Sequence, residues 1–414
     1  MKVSEYNHVL QIDDKKYIYN SFSKSSICVN NADFKMEDFE KLNSEQVEVL
    51  LKEGFWVEDD CSEFEMLKYM FSNNYFGDNS LLNIVLVPGM DCNFKCPYCF
   101  EKVPGNQALF QTNQGRYFSI LKKYAKKHLK RYENIEISLF GGEPLLFSEG
   151  IFDFFDFINK EMPDMSYFSS IVTNGALLDE KMTEQLIKYK CKSVQITIDG
   201  WKMAHNKTRI FKDETESYDL LINNINKSLA LLPDDCLFNL RINLNNVTVE
   251  EVKQTLEDIN ESVRSKIRVL FRPIYNTDSY KHENTNKVYD LKPFFDIACK
   301  MGFNIVKNTY YYQACESCSG NNFYFIMPDL SIWKCINDIN FSDAKVGQIT
   351  EDGDLEFNAK KLINWFRYSN CFEDEQCKEC KLLPDCYGGC VLYRAKRGKR
   401  LCKEFEMAAL PYLY

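Results

Sequence analysis

Six short apolar runs recur between residues 81 and 300: Asn83–Val87, Ile135–Phe140, Ser169–Thr173, Ser193–Ile198, Leu237–Asn243 and Ile267–Phe271. The stretches between them carry helical periodicity. In the first, Tyr117, Ile120, Leu121, Tyr124 and Ala125 recur at helical spacing, while Lys122, Lys123, Lys126, Lys127 and Lys130 fall mostly elsewhere. That basic run reads as a solvated helix face rather than a binding site. Strand and helix alternating six times imply parallel βαβ units, so an α/β fold is expected, an open sheet or a partial (βα)6 barrel. Sites on such folds gather at the carboxyl ends of the strands.

At 414 residues the chain is long for one domain, and about 150 residues per domain gives two to three. Three regions separate by pattern: 1–80, 81–300 and 301–414. The first opens with two strand-like runs, HVLQID and KYIYNSF, joined through Asp13-Asp14-Lys15. A helix follows, with Asn43 and Gln46 placed as a capping box, Val47, Leu50 and Leu51 on one face, and Gly54 as its stop. Two strands, helices and a returning FWV strand suit a small winged-helix-like domain; a lid that only packs on its neighbour fits the same pattern. With 51 basic against 60 acidic residues the net charge is −9, which leaves no basic footprint for nucleic acid. The first residues, interrupted by Glu5, His8 and Asp13, form no apolar signal core. No run reaches the roughly 18 apolar residues of a membrane span. A cytoplasmic protein with no membrane partner is expected.

Seventeen cysteines stand against four histidines, and nine of the cysteines lie between Cys315 and Cys402. In a reducing compartment such clustering suggests metal ligation more than disulfides. The loop after the first strand reads Cys92-x3-Cys96-x2-Cys99. Three thiolates cannot complete a tetrahedral zinc site or a fully protein-ligated cubane, each of which takes four ligands. They leave one iron of a four-iron cluster open, which chemistry requires. The second strand ends in Gly141-Gly142-Glu143-Pro144, the third in Thr173-Asn174-Gly175, and the fourth in Thr197-Ile198-Asp199-Gly200, with His205 and Arg209 downstream. Alone, Gly-Gly-Glu is an ordinary turn, Asp199 is a candidate helix cap, and His205 and Arg209 are as readily structural.

Together these elements resemble radical S-adenosylmethionine (SAM) enzymes. The resemblance implies that Cys92, Cys96 and Cys99 hold a [4Fe-4S] cluster whose open iron chelates SAM. Gly141 and Gly142 would approach the methionyl amine, Glu143 would accept a hydrogen bond from it, and Asn174 and Thr197 would touch the ribose or carboxylate. The third region carries Cys377-x2-Cys380-x5-Cys386-x3-Cys390 and Cys402, preceded by Cys315-x2-Cys318 and by Cys335 after a strand-like FYFIMPD run. This resembles the loop-rich SPASM (twitch-type) extension of the same family. Two auxiliary [4Fe-4S] clusters are implied, one on Cys315, Cys318, Cys335 and Cys390, the other on Cys377, Cys380, Cys386 and Cys402, making three clusters in all. A zinc ribbon would use the same Cys-x2-Cys pairs. The family often has Gly five residues before Cys335, where this chain has Leu330. Cys371 is spare. Cys28, Cys61, Cys191, Cys236 and Cys299 read as small buried apolar residues.

By this resemblance, SAM is cleaved to a 5′-deoxyadenosyl radical that abstracts hydrogen from an unactivated carbon. A low-potential donor such as ferredoxin or flavodoxin would supply the electron. Three functions compete. The first is maturation of a ribosomally made precursor peptide by thioether or other side-chain crosslinks. Its leader would be held on the N-terminal domain as on an RRE-like winged helix, by strand addition. The second is anaerobic sulfatase maturation, which makes formylglycine. Those relatives carry an Asp base directly after the cysteine matching Cys335, where this chain has Ile336, with Asp338 two further on. The third is a non-catalytic iron–sulfur electron carrier, which would want four thiolates per cluster, whereas the first loop offers three. No residue is assigned as the catalytic base.

Overall fold

The computed structural model describes residues 1–12, 15–29, 38, 41–76, 81–99, 113–244, 247–274, 291–306 and 319–398. Asp13, Asp14, Cys315, Cys318 and Cys402 lie outside the described residues. The chain divides into two compact units: residues 1–78, 308–321 and 362–414 form one, and 79–307 with 322–361 form the other. The boundaries read from the sequence cut the chain differently, because residues 322–361 continue the sheet of the second unit.

The first unit contains β1 (Lys2–Val3), β2 (Asn7–Ile12), β3 (Lys15–Asn20), β4 (Ser26–Val29) and β5 (Trp56–Val57). β2, β3 and β4 form an antiparallel sheet in that order, and β1 pairs with β5. The helix Ser44–Lys52 starts on a capping box, with the Asn43 side chain on the Gln46 N–H and the Gln46 side chain returned to Asn43. Of its apolar face only Leu50 is buried, packed with Ile18 and Phe55. β3 also meets the cysteine-rich end of the chain: the Tyr19 hydroxyl donates to Asp385 at 3.0 Å and Ser21 Oγ to the Lys381 carbonyl at 2.6 Å. Lys24 completes an ion pair with Asp385. Tyr6, Leu67 and Phe71 pack in one cluster with Cys371, Phe372, Cys377 and Leu383.

The second unit is built on β6 (Leu81–Leu86), β7 (Asn134–Leu139), β8 (Ser166–Thr173), β9 (Cys191–Ile198), β10 (Leu237–Leu244) and β11 (Ile267–Pro273). These six occupy the six predicted runs and pair in parallel. The sheet is larger than the six-strand reading. β12 (Asn304–Ile305) adds to β11, and β13 (Phe323–Ile326) adds in parallel to β6. β14 (Ser331–Trp333), β15 (Lys345–Ile349) and β16 (Leu355–Phe357) then follow antiparallel, giving an eleven-stranded mixed sheet. Leu330, at the β13–β14 turn, holds the left-handed φ of 64° that favours glycine.

The two faces of the strands differ. On β7, Ile135, Ile137 and Leu139 are at most 1% exposed while Glu136 and Ser138 are half-buried. The alternation continues through Ser170, Gln195, Thr197, Asn239 and Arg241, so one face of the sheet is apolar and the other polar. The helix Gln114–His128 buries the predicted stripe, Tyr117, Ile120, Leu121, Tyr124 and Ala125. Its lysines face outward, Lys122 to Asp153, Lys126 to Glu161 and Lys127 to Asp354.

Candidate active site

Four strand ends converge on the loop that carries Cys92, Cys96 and Cys99. The Gly142 N–H donates to the Gly89 carbonyl at 3.3 Å and the Glu143 N–H to the Asp91 carbonyl at 2.8 Å. Gly141 has φ +125°, and a Cβ there would stand 2.6 Å from the Gly89 oxygen; at Gly142 it would stand 2.3 Å from the oxygens of both Met90 and Asp91. Both glycines are therefore required by close approach to the cysteine loop. On its other side the loop is pinned by Ile210–Lys212, through Lys95 N–H to the Ile210 carbonyl (3.0 Å) and Lys212 N–H to the Asn93 carbonyl (2.9 Å). Phe94, Cys96, Ala176 and Leu221 form the apolar backing, with Cys92, Tyr98, Cys99 and Phe211 against it. Burial pushes the Cys92 thiol up to about 11.

Glu143 is fully buried. It accepts from the Thr173 hydroxyl (2.7 Å), the Asn174 N–H (2.7 Å) and the Leu145 N–H (3.0 Å), tying the ends of β7 and β8 together. Burial pushes its carboxyl up, and these donors with Arg209 oppose that. The Asn174 amide donates to Asn93 Oδ1 at 2.6 Å and lies 3.7 Å from Cys92 Sγ. In this structure both residues hold the cysteine loop in place. Thr197 is half-buried on the polar face of β9.

Asp199 is a hub rather than a helix cap. The helix Lys202–Thr208 has Trp201 at its cap position with no side-chain bond. Asp199 accepts from Tyr98 (2.6 Å), Thr208 (2.6 Å) and Asn243 (2.9 Å). His205 is a buried neutral spacer. It accepts the Asp199 N–H at Nδ1, lies 3.0 Å from Ser217 at Nε2, and is held well below its usual value by burial and Arg209. Arg209 donates through Nη1 to the Tyr98 hydroxyl at 3.0 Å, while its Nε is buried with no partner among the described residues.

A model of the radical SAM superfamily matches residues 86–259, from the end of β6 to beyond β10. The chain carries a radical SAM domain. Over 340 residues the chain is 25% identical to a cysteine-type anaerobic sulfatase-maturating enzyme of Clostridium novyi, covering 75% of this chain and 88% of the relative. Over 431 residues it is 24% identical to the radical SAM cyclopropyl synthase TigE of Paramaledivibacter caminithermalis, covering 94% and 85%. A solved structure of anSMEcpe with bound AdoMet and Cp18Cys peptide shares the fold at TM-score 0.58 and 19% identity, over 80% of this chain and 98% of that one.

A radical SAM domain implies one [4Fe-4S] cluster and SAM, and the cysteine loop fits both. Zinc would draw its thiolates to one point about 2.3 Å from each. In a cubane each thiolate binds a different iron, so convergence on one point is not needed. The buried, unpartnered Arg209 Nε supplies a cation's donor beside this loop, as an anionic cofactor group needs. In the sequence Arg209 reads as readily structural as functional, because an orphaned buried donor shows only in three dimensions.

Of the cysteines beyond residue 300, Cys335 is buried after β14. In the first unit, Cys377 is buried in the short helix Glu375–Lys378, with its N–H on the Asp374 cap. Cys380 precedes the short helix Leu383–Cys386, which Cys386 ends, and Cys390 occupies the N-cap position of the helix Val391–Arg397 with no side-chain bond. Cys371, spare in the sequence, is fully buried beside them; its thiol is pushed up by burial and by Cys377 and Cys386. Cys191 and Cys236 are buried as expected, though as neighbours whose thiols hydrogen-bond each other, whereas Cys28 and Cys299 are exposed and Cys61 is half-exposed. Asp338 organises a turn, accepting the Asn340 N–H at 3.0 Å. No helix among the described residues is long and apolar enough to cross a membrane.

Proposed function

We propose that this protein is a radical SAM peptide maturase that abstracts hydrogen from a ribosomally made precursor peptide and installs thioether or other side-chain crosslinks. The observation that carries this over sulfatase maturation is the residue after Cys335. Sulfatase maturases resembling this chain place an Asp base there; here it is Ile336, 2% exposed. The longer match to the cyclopropyl synthase, over 94% of the chain against 75% for the sulfatase maturase, supports the same choice.

In this reading Cys92, Cys96 and Cys99 hold the SAM cluster, and Gly141 and Gly142 bring backbone to the methionyl amine. Glu143 and Asn174 fix that loop, and Thr197 and Arg209 face the cofactor. Cys315, Cys318, Cys335 and Cys390 hold one auxiliary cluster, and Cys377, Cys380, Cys386 and Cys402 the other. A [4Fe-4S] cluster held on Cys92, Cys96 and Cys99 would supply the electron for reductive cleavage of SAM. The chain's own part is to hold the loop rigid, bury it from water and place the substrate. The winged-helix-like N-terminal region holds the leader on an edge of the β2–β3–β4 sheet, where strand addition gives affinity with little sequence demand. Ferredoxin or flavodoxin supplies electrons in the cytoplasm.

The test is anaerobic co-expression with the short peptide encoded nearest the gene, followed by mass spectrometry. Loss of two hydrogens with a thiol that no longer alkylates establishes a thioether; the same loss with free thiols establishes another crosslink. An unchanged peptide, with 5′-deoxyadenosine still formed, rejects this substrate class. The sulfatase reading holds instead if a Cys or Ser sulfatase-type peptide is then oxidised to formylglycine.

A further inference from the structure

The cysteine-rich end of the first unit buries a cation that its neighbours leave incompletely met. Arg394 lies in the helix Val391–Arg397, and its side chain is only 11% exposed. Nη1 is buried and has no hydrogen-bond partner among the described residues. Nη2 stands 3.9 Å from an Asp374 carboxylate oxygen, too long for a hydrogen bond. Asp374 is committed elsewhere, because it caps the short helix Glu375–Lys378 by accepting the Gln376 and Cys377 N–H groups. The buried acid Asp385 is committed too, to Tyr19 and Lys24. Gly388 fixes where the open donor sits. In the loop between Cys386 and Cys390 it holds φ +77°, and a Cβ there would stand 2.3 Å from Arg394 Nη1 and 2.6 Å from Cys371 Cβ. The guanidinium therefore lies against the backbone of that loop and beside Cys371, which packs in one cluster with Cys377, with Cys380 against it.

A desolvated guanidinium with an unmet N–H is costly unless an anion joins it. A cubane on cysteine thiolates is such an anion. Its potential follows its net charge and the hydrogen bonds on its sulfurs. Reduction adds negative charge, and a cation nearby favours the more negative form, so the potential rises. We propose that Arg394 is the cationic partner of the auxiliary cluster assigned to Cys377, Cys380 and Cys386, its open donor bonding a cluster sulfur and holding that cluster's reduction potential up. A raised potential makes the cluster a better electron acceptor. Arg394 acts here as a positioning and tuning residue, not as a ligand. The proposal rests on the auxiliary-cluster assignment above and not on the identity of the peptide substrate.

The test reads potential rather than turnover, in a Cys92→Ala, Cys96→Ala, Cys99→Ala background where only auxiliary clusters load. That background protein is compared with its Arg394→Gln and Arg394→Lys variants after anaerobic reconstitution. Arg397→Gln, which removes an exposed charge on the same helix, is the surface control. Iron content and melting temperature are recorded first, and reduction is then followed by EPR in a potentiometric titration. The proposal expects one cluster of Arg394→Gln to shift about tenfold toward the oxidised form at a given potential, a midpoint about 59 mV more negative for one electron. Arg394→Lys keeps the charge and shifts less, and Arg397→Gln shifts less than Arg394→Gln because solvent and salt screen it. Loss of one cluster's iron in Arg394→Gln but not in Arg394→Lys supports the same pairing. Unchanged midpoints in Arg394→Gln overturn the proposal, and so does equal loss of iron in both variants, which marks a packing role. A background protein that holds no iron overturns it through the auxiliary-cluster assignment itself, and that failure shows before any titration.

Discussion

Gly142 has no room for a methyl group, since both neighbouring oxygens belong to the loop that bears Cys92. Gly142→Ala forces that loop outward at a cost of about 1–3 kcal/mol, and is expected to lose iron from the SAM site while auxiliary iron stays, read by iron content and SAM-dependent EPR. Leu330 sets two effects against each other. Its left-handed backbone costs about 1–2 kcal/mol, whereas deleting a fully buried leucine side chain costs about 2–5 kcal/mol. Leu330→Gly is therefore expected to lower stability in a denaturant melt despite relieving strain. That the cysteine loop, the two glycines and Asn174 sit at neighbouring strand ends was legible because each motif is contiguous in the chain. Asp199 was not: it reads as a helix cap, yet its partners Tyr98 and Asn243 lie 101 and 44 residues away, and no local pattern encodes such a pair. Tyr98→Phe leaves Asp199 short of a donor, and a loss of about 1–3 kcal/mol is expected.

Elements were legible in proportion to their length and periodicity. The six strands of the parallel array showed themselves because each is an apolar run of six to eight residues between helices with a buried stripe. β4, β12 and β14–β16 escaped because their runs of two to five residues carry too few alternations to stand out. The helix at 44–52 was legible from its capping box, which predicts that Asn43→Ala costs about 1 kcal/mol in thermal melting. The lysine-rich helix makes the opposite prediction. Its pairs are exposed, so Lys126→Ala changes stability by less than about 1 kcal/mol, and the effect shrinks further at high salt.

At the scale of the molecule, the expectation is about twelve irons per chain after anaerobic reconstitution, four per cubane; a value near four would leave the auxiliary sites out of the account. The N-terminal region is bonded to Lys381 and Asp385 and packed on Cys371 and Cys377. Deleting residues 1–78 is thus expected to strip auxiliary iron as well as any leader binding, where a detachable peptide-binding module would lose only the latter. That first unit is assembled from both ends of the chain, which sets a schedule during synthesis. At about 5–20 residues per second, residue 362 leaves the ribosome roughly 15–60 s after residue 78. Through that interval the faces of Tyr6, Leu67 and Phe71 wait in water for a partner not yet made. The nascent chain therefore presents an aggregation-prone surface to chaperones until those residues follow.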